Sequence, residues 1–114
     1  MNIWYRVSDV EAARVFYTEQ LGFELVYFDE QDRWLRLVRN GVEIAVAEGE
    51  FEGEAAPGEK DVVATVDVED IKAEAERLRA AGVNVGVVVE IPGAIRLLDV
   101  FDPDGNRVQL AQDI

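Results

Sequence analysis

Any chemistry in this chain has to be built without two of the most versatile side chains. Its 114 residues include no cysteine and no histidine. That removes thiolate nucleophiles, disulfides, sulfur ligation of zinc, and the one side chain that titrates near neutrality unaided. Carboxylates, amides, arginines and aromatic rings remain, and strand alternation sorts them. In the run Asn2 to Ser8, one face carries Asn2, Trp4 and Arg6 and the other Ile3, Tyr5 and Val7. The same period groups Glu43, Ala45 and Ala47, then Val63, Thr65 and Asp67, then Arg107, Gln109 and Ala111. Trp4 offers a flat ring for stacking on a ligand, or else simply fills space. Arg6 and Arg107 could grip a carboxylate or phosphate, or form structural salt bridges with Glu43 or Asp67. Glu43 and Asp67 are the carboxylates on these faces available as general bases. Trp34, Arg36 and Val38 alternate with Leu35 and Leu37. The more apolar pair is expected to meet a helix, which leaves Trp34 among the candidates for ligand contact.

The elements that position these residues come twice. A strand over 2–8 is followed by a helix from Val10 to Leu21, opened by Asp9 as N-cap and ended by Gly22. Strands follow at Phe23–Asp29, Arg33–Arg39 and Val42–Ala47, the last two joined by Asn40-Gly41, a type I′ hairpin signal. The Gly- and Glu-rich stretch before Lys60 lacks periodicity and reads as a linker. The order then restarts: a strand over Asp61–Val68 and a helix over Glu69–Ala81 with an apolar stripe of Ile71, Ala75, Leu78 and Ala81. Strands at Val83–Glu90, Ile95–Phe101 and Arg107–Ala111 complete it, with a turn over Asp102–Asn106. Aligning Gly41 with Gly105 sets Ile44 beside Val108 and Val46 beside Leu110. Aligning Val7 with Val68 places Gly22 and Gly82 at 15 (22 − 7) and 14 (82 − 68) positions downstream. The expected fold is α+β: two βαβββ modules, residues 1–48 and 61–114 around a linker at 49–60, forming a curved mixed sheet around a cleft.

Bulk properties narrow the partners. With 11 basic and 24 acidic residues the formal net charge is −13, a field that repels nucleic-acid phosphates and either attracts a cationic ligand or simply keeps the protein in solution. No apolar run approaches the roughly 20 residues of a membrane span, and no signal peptide is visible. A cytoplasmic protein is expected.

Three motifs carry a family resemblance: Val7-Ser8-Asp9, then Phe16-Tyr17 followed by Leu21-Gly22-Phe23, and Asp102-Pro103-Asp104-Gly105-Asn106. With the duplicated βαβββ order, they resemble the vicinal-oxygen-chelate superfamily of glyoxalase I, extradiol dioxygenases, fosfomycin-resistance and bleomycin-resistance proteins. The resemblance implies four metal-ligand positions, which here read Asn2, Ala45, Val63 and Gln109. Two of these side chains cannot coordinate and amides are weak ligands, so neither metal nor other cofactor is expected. The resemblance then points to the bleomycin-resistance type: a homodimer binding a small cationic or aromatic molecule, with Trp4, Arg6, Trp34, Arg107 and Gln109 as contact candidates. Two alternatives stay open. One is a metal-free lyase or isomerase using Glu43 or Asp67; the other is a dimeric scaffold with no ligand. Phe16, Tyr17 and Phe23 are read as core packing, and Asp102–Asn106 as a turn.

Overall fold

The computed structural model describes residues 3–49 and 63–114. Asn2 and, apart from Gly49, the expected linker lie outside them. The first sheet comprises β1 (Ile3–Val7), β2 (Glu24–Asp29), β3 (Trp34–Arg39) and β4 (Val42–Glu48), in the order β1-β4-β3-β2. In it β1 runs parallel to β4, and the other pairs are antiparallel. The second comprises β5 (Ala64–Asp67), β6 (Asn84–Val85), β7 (Val89–Ile91), β8 (Ile95–Phe101) and β9 (Arg107–Asp113). Its order is β5-β9-β8-β6, with β7 also paired to β8, and β5 runs parallel to β9. Each half is thus an open-ended sheet whose first strand returns beside its last, the topology expected from the repeat.

Alternation decides which face each helix covers. Tyr5, Val7, Leu35, Leu37, Ile44 and Val46 are buried beneath α1 (Val10–Val15), and Ala64, Val66, Leu98, Val100, Val108 and Leu110 beneath α2 (Ile71–Ala80). These two sets belong to one continuous core, so the modules share their helix-side packing. Asp9 caps α1 by accepting from the backbone of Glu11 and Ala12, and Asp70 caps α2 at Ala73. Asn40 and Gly41 both take positive φ (48° and 79°), as a type I′ turn demands. No helix among the described residues is long and apolar enough to cross a membrane.

Three expectations need correcting. The helix expected through Leu21 is α-helical only to Val15 and continues as a π-helical turn, Phe16–Gln20. That turn absorbs the one residue by which this module's helix exceeds its counterpart. The α2 stripe stops at Leu78, because Ala81 is exposed as the C-cap. The strand expected over Val83–Glu90 is broken into β6 and β7. There the Gly86 amide still donates to the Asp99 carbonyl of β8 (2.8 Å), while its own carbonyl accepts Arg79 Nη2 (2.7 Å).

Among the described residues, side chains join the modules where no ladder does. Tyr5 Oη donates to the Arg107 carbonyl (2.6 Å) and accepts from the Ala64 amide (2.9 Å), bridging β1 to β5 and β9. Burial pushes this phenol up to about 12, so it stays a donor at neutral pH. Arg39 donates to the Leu21 carbonyl and to Glu74, and Arg77 donates to Glu74 and to the Gln20 carbonyl. Burial pushes the Glu74 carboxyl up, but the bonds from Arg39 and Arg77 outweigh it and hold the group below its ordinary value. A lowered folded value means the unfolded chain takes the proton first. The stabilisation is therefore complete above about pH 4.3 and is lost as pH falls through the folded value. Glu74→Gln is expected to flatten the loss of stability between about pH 6 and about pH 3. Urea unfolding of both proteins at both values checks this; equal losses would remove Glu74 from the acid response.

Candidate functional site

The face of the first sheet opposite its helix is a grid read from strand register. One row is Trp4–Ala45–Arg36–Tyr27 and the next is Arg6–Ala47–Trp34–Asp29. Ala45 and Ala47 lie at the centre and are buried on this open side, so larger neighbours must roof them. The indoles of Trp4 and Trp34 stand 5.7 Å apart, and Tyr27 stands 5.1 Å from Trp34 on the far side. Three rings therefore cross the sheet over a floor of two methyl groups. Trp4 remains 37% exposed and Tyr27 47% exposed, and Trp34 is half-buried. Such a surface can bury a flat apolar ligand at little conformational cost, since each ring has few torsions to lose.

Trp34 lies on the open face, because Leu35 and Leu37 go fully to the core. Tyr27 escaped the sequence reading. Strict alternation would put it on the helix side with Leu25, but the register slips between Leu25 and Tyr27. That bulge turns the phenol onto the open face and leaves Val26 exposed.

The charged candidates separate. Arg6 is on the same face but only 4% exposed, so its guanidinium is enclosed rather than presented. Asn106 Nδ2 holds its carbonyl at 2.7 Å. Glu43 pairs with Arg36 (Nε–Oε1 2.7 Å), and Arg107 lies 3.6 Å from Asp99. The expected partners, Glu43 or Asp67 with Arg6 or Arg107, are replaced by these because they sit closer in register: Arg36 faces Ala45 next to Glu43, and Arg107 faces Phe101 near Asp99. Asp67 is exposed on the second sheet, where its carbonyl accepts Asn40 Nδ2. The two carboxylates considered as bases thus stand on different sheets, one of them tied to an arginine.

Three of the four positions that the family resemblance marks for metal are among the described residues. Ala45 and Val63 offer no donor atom, and Gln109 Oε1 accepts from Thr65 Oγ1 at 3.1 Å. Asn2 lies outside the described residues. Among those described, no three carboxylates gather closely enough to hold an ion.

Beside this face, Asp102 is more than the turn residue expected from sequence. Its buried carboxylate accepts from Tyr17 Oη (2.8 Å), Asn106 Nδ2 (2.9 Å) and the backbone amides of Asp104 (3.0 Å) and Asn106 (2.8 Å). Asp104 Oδ2 in turn accepts the Ser8 amide at 3.1 Å. All three sequence motifs therefore meet at one junction between the modules. Tyr17, Phe16 and Phe23 pack edge to face there, with ring centroids 5.3 and 5.9 Å apart, as core residues.

Comparison with known proteins agrees with this fold. The model of the Glyoxalase/Bleomycin resistance protein/Dioxygenase superfamily matches residues 2–110. Virulence protein STM3117 of Salmonella typhimurium is 30% identical over 118 residues, covering 93% of this chain and 78% of that protein. Its crystal structure superposes with a TM-score of 0.75. TnmS3, an antibiotic binding protein from Streptomyces sp. CB03234, is 26% identical with a TM-score of 0.76, covering 100% of this chain and 96% of that one. An integron cassette protein from the mobile metagenome of Halifax Harbour sewage outfall is 25% identical with a TM-score of 0.80, covering 98% and 96%.

Proposed function

This chain belongs to the glyoxalase/bleomycin resistance protein/dioxygenase superfamily, and from that premise we propose that it binds and sequesters a small molecule without metal chemistry. The observation that carries the reading is the row of Trp4, Trp34 and Tyr27 over Ala45 and Ala47. At position 45, where the family resemblance implies a metal ligand, this chain has a buried methyl group beside Trp4. TnmS3, similar over the whole chain, is described as antibiotic-binding, which favours a drug or drug-like ligand of the bleomycin-resistance type. The charge of −13 favours a cation. The arrangement of Glu43 and Asp67 gives no comparable support to a carboxylate-based lyase.

The open face of the second sheet carries Val89 and Ile91, each about half exposed, beside Ile95 and Leu97. We read it as the opposing wall of a cleft completed in a homodimer, since a second copy would cover apolar surface that one chain leaves in water.

Both tryptophans of the chain stand on the proposed site. Intrinsic fluorescence titrated with a panel of planar and cationic antibiotics is therefore expected to show a saturable change with at least one compound. A flat response across the panel would argue against ligand binding.

A further inference from the structure

The arrangement of rings and charge on the open face says what kind of group the ligand offers. Trp34 meets Trp4 and Tyr27 with an interplanar angle of 46° in each pair. The rings are neither coplanar nor perpendicular, so both ring faces and ring edges line this part of the sheet. Asp29 stands opposite Trp34 across the β2–β3 pair, two residues along the strand from Tyr27 and on the same face. It is half-buried, and its Oδ1 accepts the Asp32 amide at 2.9 Å. Among the described residues no arginine or lysine pairs with it, whereas Glu43 on the same face is neutralised by Arg36. Arg6 stands in the same row but three strands away, about 14 Å at ordinary strand spacing.

A half-buried carboxylate that pairs with no arginine or lysine among the described residues, at the strand position facing Trp34, suits a positive charge that needs few hydrogen bonds. A primary ammonium has three N–H donors to satisfy; on this face the Glu43 carboxylate is already held by Arg36, the cross-strand neighbour of Tyr27, which leaves Asp29 as the carboxylate at the Trp34 end. An amine whose hydrogens are replaced by methyl groups loses that requirement and keeps its attraction to the rings. We propose that Tyr27, Trp34 and Asp29 seat an alkylammonium group, quaternary or methylated, as the cationic end of the ligand. The inference rests on the reading of this face as the ligand site.

Choline and its uncharged isostere 3,3-dimethylbutan-1-ol separate charge from shape. Titration of the full chain, followed by tryptophan fluorescence and calorimetry, is expected to show choline binding at least about tenfold tighter than the isostere. Asp29→Asn and Trp34→Leu should each weaken choline about tenfold while circular dichroism stays native. Equal affinity for choline and the isostere would overturn the proposal, as would an unchanged choline affinity in Asp29→Asn. If choline fails while an uncharged planar compound such as 2-naphthol binds, the alkylammonium assignment is wrong and the aromatic site stands. If neither binds, nor any compound of the antibiotic panel, the site itself falls.

Discussion

Asp102→Ala is expected to destabilise the fold by about 3–5 kcal/mol, the largest effect of any single substitution considered. Removing the carboxylate takes the acceptor from the buried Tyr17 hydroxyl and from two backbone N–H groups, and leaves Asn106 Nδ2 with the Arg6 carbonyl but without its bond to Asp102. Hydrogen bonds to a charged group contribute about 1.5–3 kcal/mol each, but they share one acceptor and do not add. The effect should exceed that of Tyr17→Phe, which deletes one donor and leaves the other three partners in place. Burial pushes the Asp102 carboxyl above its ordinary value despite those donors. Its sign is therefore opposite to that of Glu74: the folded protein takes the proton first, so this group does not drive unfolding as pH falls through the carboxylate range. Urea unfolding followed by circular dichroism measures the loss. A value under about 1 kcal/mol would show that the junction does not depend on the carboxylate.

The second large effect concerns binding. Trp34 is the middle ring, in contact with both Trp4 and Tyr27, so Trp34→Ala divides the aromatic row. A central aromatic anchor typically contributes about 2 kcal/mol or more, which corresponds to roughly a thirtyfold weaker dissociation constant. Because the ring is half-buried on an open face, the fold should lose no more than about 1 kcal/mol. Calorimetric titration of native and variant protein with any compound that passes the fluorescence panel gives the comparison. An unchanged dissociation constant would place the ligand elsewhere.

How much of this was legible in the sequence differs by element. The hairpin at Asn40-Gly41 and the paired strands were readable because a period of two and a positive-φ turn are local properties. Trp4 follows from the same period, whereas for Trp34 the period left the face open and only the greater apolarity of Leu35 and Leu37 pointed to it. Tyr27 could not be placed, since one bulge residue reverses every side chain beyond it and nothing in Glu24–Asp29 announces the bulge. The π-helical turn left a trace, the one-residue difference between the Val7–Gly22 and Val68–Gly82 spacings, which a uniform helix concealed. Asp102 looked like a complete local turn. Its second role depends on Tyr17, which lies 85 positions away in sequence. Ion pairing was misjudged for a related reason. Alternation gives the face of a strand, while the choice of Arg36 for Glu43 and of Asp99 for Arg107 depends on register between strands.

The central claim, that the open aromatic face of the first sheet is a ligand site, meets its most direct test in the indole N–H signals of ¹⁵N-labelled protein. The chain has two tryptophans and both lie in the row. A titrated small molecule that binds there is expected to shift both signals along one saturable curve. Binding seen by calorimetry with both indole signals unmoved would contradict the account.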